Sequence, residues 1–125
     1  MIGQQYSVHH LTRATVSRVS GLLKYHPRTS MAAVLALSSV DQYGPGAGRL
    51  GLVVGSVHDG ADGVTRMSIE WSEFSGELRA TEDEYGARLE LEGTATGRSV
   101  TADTLSRVLR HLAQAAEAGS SSRDT

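Results

Sequence analysis

The sequence contains no cysteine, only two prolines and a single tryptophan among its 125 residues. Without cysteine, the chain can form no disulfide bond, thiolate nucleophile or cysteine metal ligand. The longest uninterrupted apolar run, residues 31–37, is far shorter than the roughly 20 residues of a membrane-spanning helix. Residues 1–8 also lack the basic and apolar segments of a secretory signal. We therefore expect a cytoplasmic protein that makes no membrane contact.

The composition is that of one folded domain. Apolar residues make up 39% and charged residues 21% of the chain, and its length suits a single domain. There is no internal repeat, and the last few residues are polar. We predict a single domain over residues 1–118, followed by a disordered tail over residues 119–125.

Charge is unevenly distributed along the chain, although the net charge is only −2. Residues 1–58 contain five basic side chains and one acid, whereas residues 59–98 contain ten acids and four arginines. An acidic sheet surface repels phosphate backbones, so we expect no nucleic-acid partner. The same asymmetry favours self-association or docking on a charged protein partner.

The N-terminal part of the sequence predicts one helix and one strand. Apolar side chains from Val8 to Leu23 recur on one side of a helical wheel, which predicts a helix over residues 7–24. It should end before Pro27, because the residue preceding proline avoids helical angles. Residues 31–40 are apolar at both alternating sets of positions, which favours a strand covered on both faces, although a short buried helix fits the same residues.

The segment over residues 50–97 has the alternation of an antiparallel sheet. Residues 50–57 are rich in β-branched side chains, and the Asp-Gly pairs after them favour a hairpin turn. From Met67 to Leu91, apolar residues alternate with polar and charged ones, so one face of each strand is expected to be covered and the other exposed to solvent. Phe74 interrupts this alternation, which we interpret as a bulge.

The most regular helical pattern lies near the C-terminus. Thr101 suits the N-cap, but Thr104 stands where a capping box would have Glu or Gln, so the box is incomplete. The helix has one apolar stripe and is expected to end at Gly119. The stripe consists of Ala102, Leu105, Val108, Leu109, Leu112 and Ala116. We therefore predict an α+β domain with an N-terminal helix, an antiparallel meander of about five strands and a long C-terminal helix packed on the sheet.

Motifs for catalysis or metal binding are weak. Residues 46–51 match G-x-G-x-x-G, but the residues that follow favour a strand where a dinucleotide site needs a helix. The five histidines lack the spacing of a zinc site, and we predict no metal or other cofactor. Glu70, Glu90 and Glu92 belong to the outward set of their strands, which indicates a solvated face and no acid–base pair. An enzyme is therefore the less favoured hypothesis.

From Leu50 onward, the order of elements resembles that of the START-like helix-grip superfamily, which includes polyketide cyclases and lipid carriers. The resemblance involves Ile-Glu-Trp at residues 69–71, Phe-Ser-Gly-Glu-Leu-Arg-Ala at residues 74–80, residues 88–94 and the long final helix. It implies a curved antiparallel sheet wrapped around a C-terminal helix, with hydrophobic molecules bound between them. Members usually begin with a strand and two small helices, where this sequence predicts one helix.

Trp71 is the one large aromatic on the apolar face of the predicted strands. It suits a packed core, but a gap between a curved sheet and the closing helix would also be lined by it and its apolar neighbours. We predict that this gap binds a small apolar molecule without catalysis. The predicted lining consists of Met67, Ile69, Trp71, Leu78, Leu89, Leu91, Leu109 and Leu112. The alternative is a protein-interaction or assembly module, which forms a homo-oligomer or docks on a charged protein.

Overall fold

The structure is a computed structural model that describes residues 4–43, 53–59, 62–71, 73–96 and 100–123. A strand and two helices come first, and four strands and a long helix follow. The elements are β1 (Gln4–Leu11), α1 (Arg13–Tyr25), α2 (Pro27–Tyr43), β2 (Val53–Asp59), β3 (Val64–Trp71), β4 (Phe74–Asp83), β5 (Gly86–Ala95) and α3 (Ala102–Arg123). The predicted α+β class is confirmed.

The five described strands form one antiparallel sheet in the order β1-β5-β4-β3-β2. Strands β2 to β5 form a meander in which each strand pairs with the next along the chain. β1 pairs with β5 over its whole length, from Gln4 opposite Thr94 to Leu11 opposite Ala87. β1 and β2 are therefore the two edges of the sheet. The three helices share a hydrophobic core with one face of this sheet, which we call the inner face.

The N-terminal segment is a strand and not the start of a helix. Residues 4–11 pair with β5 and α1 begins at Arg13, so the predicted helix over residues 7–24 is wrong for its first six positions. Thr12 caps α1, because its hydroxyl accepts a hydrogen bond from the Thr15 N–H at 3.2 Å. The chain therefore contributes its fifth strand from the N-terminus.

Residues 31–40 lie within α2, so the favoured strand prediction is wrong and the helical alternative is right. Met31, Val34 and Leu35 are buried, and their spacing is that of one helix face. The apolar residues between them, Ala32 and Ala33, are exposed. Alanine on a solvent-facing side made the segment apolar at every position and concealed the helical period.

Phe74 breaks the alternation because the chain reverses there. Trp71 is the last residue of β3 and Phe74 the first of β4, and they stand directly opposite each other. Their rings stack with centroids 4.6 Å apart. The predicted bulge at this point is therefore wrong, and the described register irregularity lies in β2, between Val54 and Val57.

A pair of glycines accommodates the Phe74 ring on the inner face. Gly76 of β4 stands opposite Gly93 of β5. A Cβ at Gly76 would collide with the carbonyl oxygen of Glu92, and one at Gly93 with that of Ser75; both would also meet the Phe74 ring. These two positions exclude side chains because of close approach and not because of a special backbone angle.

The cap of α3 is reciprocal. The Thr101 hydroxyl accepts a hydrogen bond from the Thr104 N–H, and the Thr104 hydroxyl accepts one from the Thr101 N–H, both at 3.3 Å. Threonine thus performs the part of Glu or Gln in a capping box, and the expectation of an incomplete box is wrong. α3 continues to Arg123, past the end predicted at Gly119.

Candidate functional site

The eight residues predicted to line a ligand gap all belong to the hydrophobic core. None of them is more than 5% exposed. Met67, Leu78 and Leu91 stand side by side across β3, β4 and β5, and Leu109 and Leu112 of α3 belong to the same cluster. The structure thus brings the predicted residues together as packed core side chains. Ligand binding among them remains a prediction.

An open groove of about 370 Å³ lies where β1 meets α1 and α3. It is lined by His9, Leu11, Thr15, Arg110, Ala113, Gln114 and Glu117. The groove therefore lies between the sheet and the C-terminal helix, as the ligand prediction requires, but at the sheet edge. None of the eight predicted residues lines it.

The Glu117 carboxylate at the α1 side of the groove is fully engaged. The Thr15 hydroxyl donates to its Oε1 at 2.5 Å, and the Arg18 guanidinium lies 2.9 Å from both carboxylate oxygens. The hydrogen bond from Thr15 and the charge of Arg18 together lower the pKa of Glu117. Glu117 is therefore ionised near neutral pH, and its charge is balanced by Arg18.

Arg110 supplies an uncompensated positive charge to the groove. It is exposed and makes no ion pair with any described residue. One turn earlier on the same helix, Arg107 is bound to Asp103 at 3.0 Å. Leu11 packs against the core, and Ala113 belongs to it, so the groove has apolar walls beside this cation. The arrangement suits a ligand with an apolar body and an anionic group.

The opposite face of the sheet contains a buried carboxylate that sequence reasoning missed. Glu90 is only 9% exposed, so its assignment to a solvated face is wrong. Tyr6 donates to its Oε2 at 2.5 Å, and Thr81 and Arg88 donate to its Oε1 at 3.1 and 3.2 Å. The Arg79 guanidinium lies 3.9 Å from Oε2. Long side chains of the sheet itself therefore cover this carboxylate.

The environment of Glu90 stabilises its charge. Burial by itself raises the pKa of Glu90, but the hydrogen bonds from Tyr6 and Thr81 and the charges of Arg79 and Arg88 outweigh burial, and the pKa is lowered. The same hydrogen bond raises the pKa of Tyr6. A carboxylate with a low pKa and saturated acceptors is a poor general acid or base at neutral pH, so this cluster is structural.

The other two outward glutamates differ from Glu90. Glu70 is exposed, and the Glu92 side chain is 46% exposed, so the predicted solvated face is correct for both. Only a predicted contact between Tyr6 and Glu90 could have distinguished Glu90 from the other two glutamates. Tyr6 lay outside the elements predicted from the sequence, and its contact with Glu90 spans 84 positions of the chain.

Among the residues that the structure describes, the other candidates are a small cavity and the side chains that could bind a metal ion. A cavity of about 110 Å³ between β2, β3 and β4 includes one predicted residue, Ile69, and is too small for a drug-sized molecule. Within the described ranges, no three His, Asp or Glu side chains are grouped to hold a metal ion. The glycine-rich match at residues 46–51 lies outside the described residues.

None of the helices in the described part of the chain combines the length and apolar character needed to cross a membrane. The buried stripe of α3 is matched by a polar side, which includes Arg110 and Gln114. Ala102 of the predicted stripe is exposed, whereas the rest of the stripe belongs to the protein core.

Comparison with known proteins assigns the chain to no family. No family model, no curated protein and no solved structure matches it. The function must therefore be inferred from the groove, the sheet and the charges described above.

Proposed function

We propose that this protein binds a small amphipathic molecule, without catalysis, in the groove between β1, α1 and α3. The observation that carries the proposal is the unpaired Arg110 beside the apolar surfaces of Leu11 and Ala113. The groove volume of about 370 Å³ falls within the range typical of small-molecule sites, roughly 300–1,000 Å³. The preferred ligand has a short apolar body and one carboxylate or similar anionic group, which a guanidinium binds well.

The chemistry of the groove favours binding over catalysis. Thr15 and Glu117 have the spacing of a nucleophile and its base, since the hydroxyl donates to the carboxylate at 2.5 Å. Arg18, however, binds both oxygens of the same carboxylate, and the lowered pKa makes Glu117 a weak base. This pair therefore positions α1 against α3 and does not activate Thr15.

The order of elements also supports the proposal. The described chain has a strand, two helices, a meander and a long final helix, which is the order that the resemblance to helix-grip proteins implies. The N-terminal difference expected from the sequence is absent, because residues 4–11 supply the strand and residues 27–43 the second helix. Membership of that superfamily remains a proposal. The groove also lies beside the C-terminal helix, at the edge of the sheet.

Isothermal titration with decanoate, an amphipathic carboxylate, tests the proposal directly. The wild-type protein should bind it saturably, and Arg110→Gln should weaken binding by about tenfold, which corresponds to about 1.4 kcal/mol. Gln114→Trp places a large side chain in the groove from an exposed position and should abolish binding. Arg107→Gln is the matched control, because Arg107 lies outside the groove and pairs with Asp103.

Trp71 emission separates binding in the groove from binding in the core. Trp71 is the sole tryptophan and belongs to the eight core residues. A ligand among those residues should shift its emission, whereas decanoate in the groove should leave it unchanged. The proposal is wrong if decanoate does not bind, if Arg107→Gln weakens binding as much as Arg110→Gln, or if binding shifts the emission of Trp71.

A further inference from the structure

The two edge strands of the sheet are protected to different degrees. β2 has a register irregularity between Val54 and Val57 and ends at the charged residue Asp59. β1 pairs with β5 in continuous register over eight residues and contains no proline, aspartate, glutamate, lysine or arginine. Exposed edges are normally blunted by bulges, charges, proline or short length, because a regular edge pairs with other chains. β1 has none of these protections.

The edge of β1 that faces away from β5 is free within the described part of the chain. β5 pairs with one side of the strand, and α3 packs on its inner face. No backbone hydrogen bond joins residues 4–11 to any described segment other than β5. Alternate residues of an edge strand direct their N–H and C=O groups away from the sheet. β1 therefore presents a row of backbone donors and acceptors ready for a further strand.

We propose that β1 pairs antiparallel with β1 of a second copy of this chain, which joins two five-stranded sheets around a two-fold axis. A second copy suits this edge because β1 carries no formally charged side chain, so self-pairing opposes no like charges. The pairing also removes the free edge of both copies at once. This proposal does not depend on ligand binding in the groove.

Two registers keep the inner and outer faces of the sheet continuous across the junction while pairing seven of the eight residues of β1. Side chains alternate between the faces, so each residue must oppose one of its own face. In the first register, Ser7 lies opposite the partner subunit's Ser7, and His9 lies opposite the partner subunit's Gln5. In the second register, Val8 lies opposite the partner subunit's Val8, and Leu11 lies opposite the partner subunit's Gln5. His9 and Leu11 both line the groove. In either register the second copy places a glutamine beside the groove, so the site of the proposed function would be completed by the dimer.

Matched lysine substitutions on the two edges test the pairing. Val8 stands opposite Glu90 and Val53 stands opposite Glu70, so Val8→Lys and Val53→Lys each place a lysine next to a glutamate within one subunit. Val8→Lys also brings one lysine from each copy close together at the centre of the proposed junction, where like charges destabilise strand pairing. Size-exclusion chromatography with light scattering should give twice the 13.3 kDa subunit mass for wild type and Val53→Lys, and the subunit mass for Val8→Lys.

Three results of this chromatography would overturn the pairing. These are a monomeric wild type, a dimer that survives Val8→Lys, and a dimer that both lysine variants disrupt. Circular dichroism establishes that each variant is folded. Because β1 lacks formal charges, the dimer should also persist in about 1 M sodium chloride, where the Debye length is about 3 Å. Dissociation by salt would instead indicate association through the charged surfaces and would contradict the proposal.

Disulfide trapping provides a second test that keeps the native edge uncharged. The chain has no cysteine, so an introduced cysteine is the only thiol. Val8→Cys should cross-link to itself on mild oxidation in the Val8 register, and a mixture of Tyr6→Cys and Val8→Cys should give the mixed dimer in the Ser7 register. Val53→Cys, on the opposite edge, should stay monomeric on a denaturing gel. The absence of both β1 cross-links, or an equal yield from Val53→Cys, would refute β1 pairing.

Discussion

The two faces of the sheet differ in chemistry but are both buried in part. On the inner face, Leu78 and Leu91 pack against the helices and are fully buried. On the outer face, Glu90 is almost as well covered, by Tyr6 and by the guanidinium groups of neighbouring strands. Strand alternation therefore identifies the face that packs against the helices, but it does not show how far the side chains of the other face are exposed to solvent. The comparison predicts different energetic consequences for substitutions on the two faces.

Leu91→Ala should have the largest effect. Leu91 is fully buried opposite Leu78, and truncation to alanine at such a site costs about 2–5 kcal/mol, from lost burial and the cavity that remains. Urea denaturation at neutral pH measures the loss. The next residue, Glu92, lies on the outer face and is half exposed, so Glu92→Ala is the control. An equal loss in Glu92→Ala would remove the distinction between the faces.

Glu90→Gln should have an intermediate effect, of about 1–3 kcal/mol in the free energy of unfolding. The amide can still accept a hydrogen bond from Thr81, but it no longer balances Arg88 or strengthens the bond from Tyr6. Glu92→Gln is the matched control, because Glu92 also pairs with an arginine on this face but remains exposed. If Glu90→Gln and Glu92→Gln lower the free energy of unfolding equally, the burial of Glu90 has no energetic consequence.

The change that Glu90→Gln causes in the pH dependence of the free energy of unfolding should be the smallest of these effects and the most specific to Glu90. The folded state lowers the pKa of Glu90 below its ordinary value of 4.5. Its stabilisation is therefore fully present above pH 4.5 and is lost as the pH falls through the folded-state pKa. Glu90→Gln should reduce this acid-induced loss and leave the slope between neutral and mildly alkaline pH unchanged. The pKa values of Asp83 and Glu117 are also lowered, so some acid sensitivity should remain.

This measurement has a clear contrary outcome. If the free energy of unfolding of Glu90→Gln falls on acidification as steeply as that of wild type, the hydrogen bonds to Glu90 do not favour its ionised form. The cluster would then be a consequence of packing and contribute nothing specific to the charge of the outer face.

The inner face could be predicted because burial there follows local sequence. Met67, Leu78 and Leu91 each alternate with polar neighbours, and the stripe of α3 recurs at helical spacing, so a short window contains the whole signal. The capping of α3 by Thr101 was also visible locally. These predictions required no knowledge of which strands are neighbours.

The groove and the buried glutamate could not be predicted because both depend on β1. The strand has polar Ser7 and His9 on its inner face and Val8 on its outer face, so it lacks the apolar alternation of a strand. Its apolar residues instead continued the helical period of α1, and a helix was predicted across the junction. Without β1 beside β5, neither His9 nor Tyr6 could be placed near its eventual contacts.

The pairing of β1 with β5 also determines when the fold can be completed. Ser7 shares a hydrogen bond with Ser106 at 2.7 Å, although the two residues are 99 positions apart. During synthesis, β1 must wait for its partner strand β5 and for α3, which emerge from the ribosome later. Such distant contacts slow folding, and the regular strand remains open to misassembly in the meantime. Chaperone binding to nascent chains of this protein should therefore concentrate on residues 4–11.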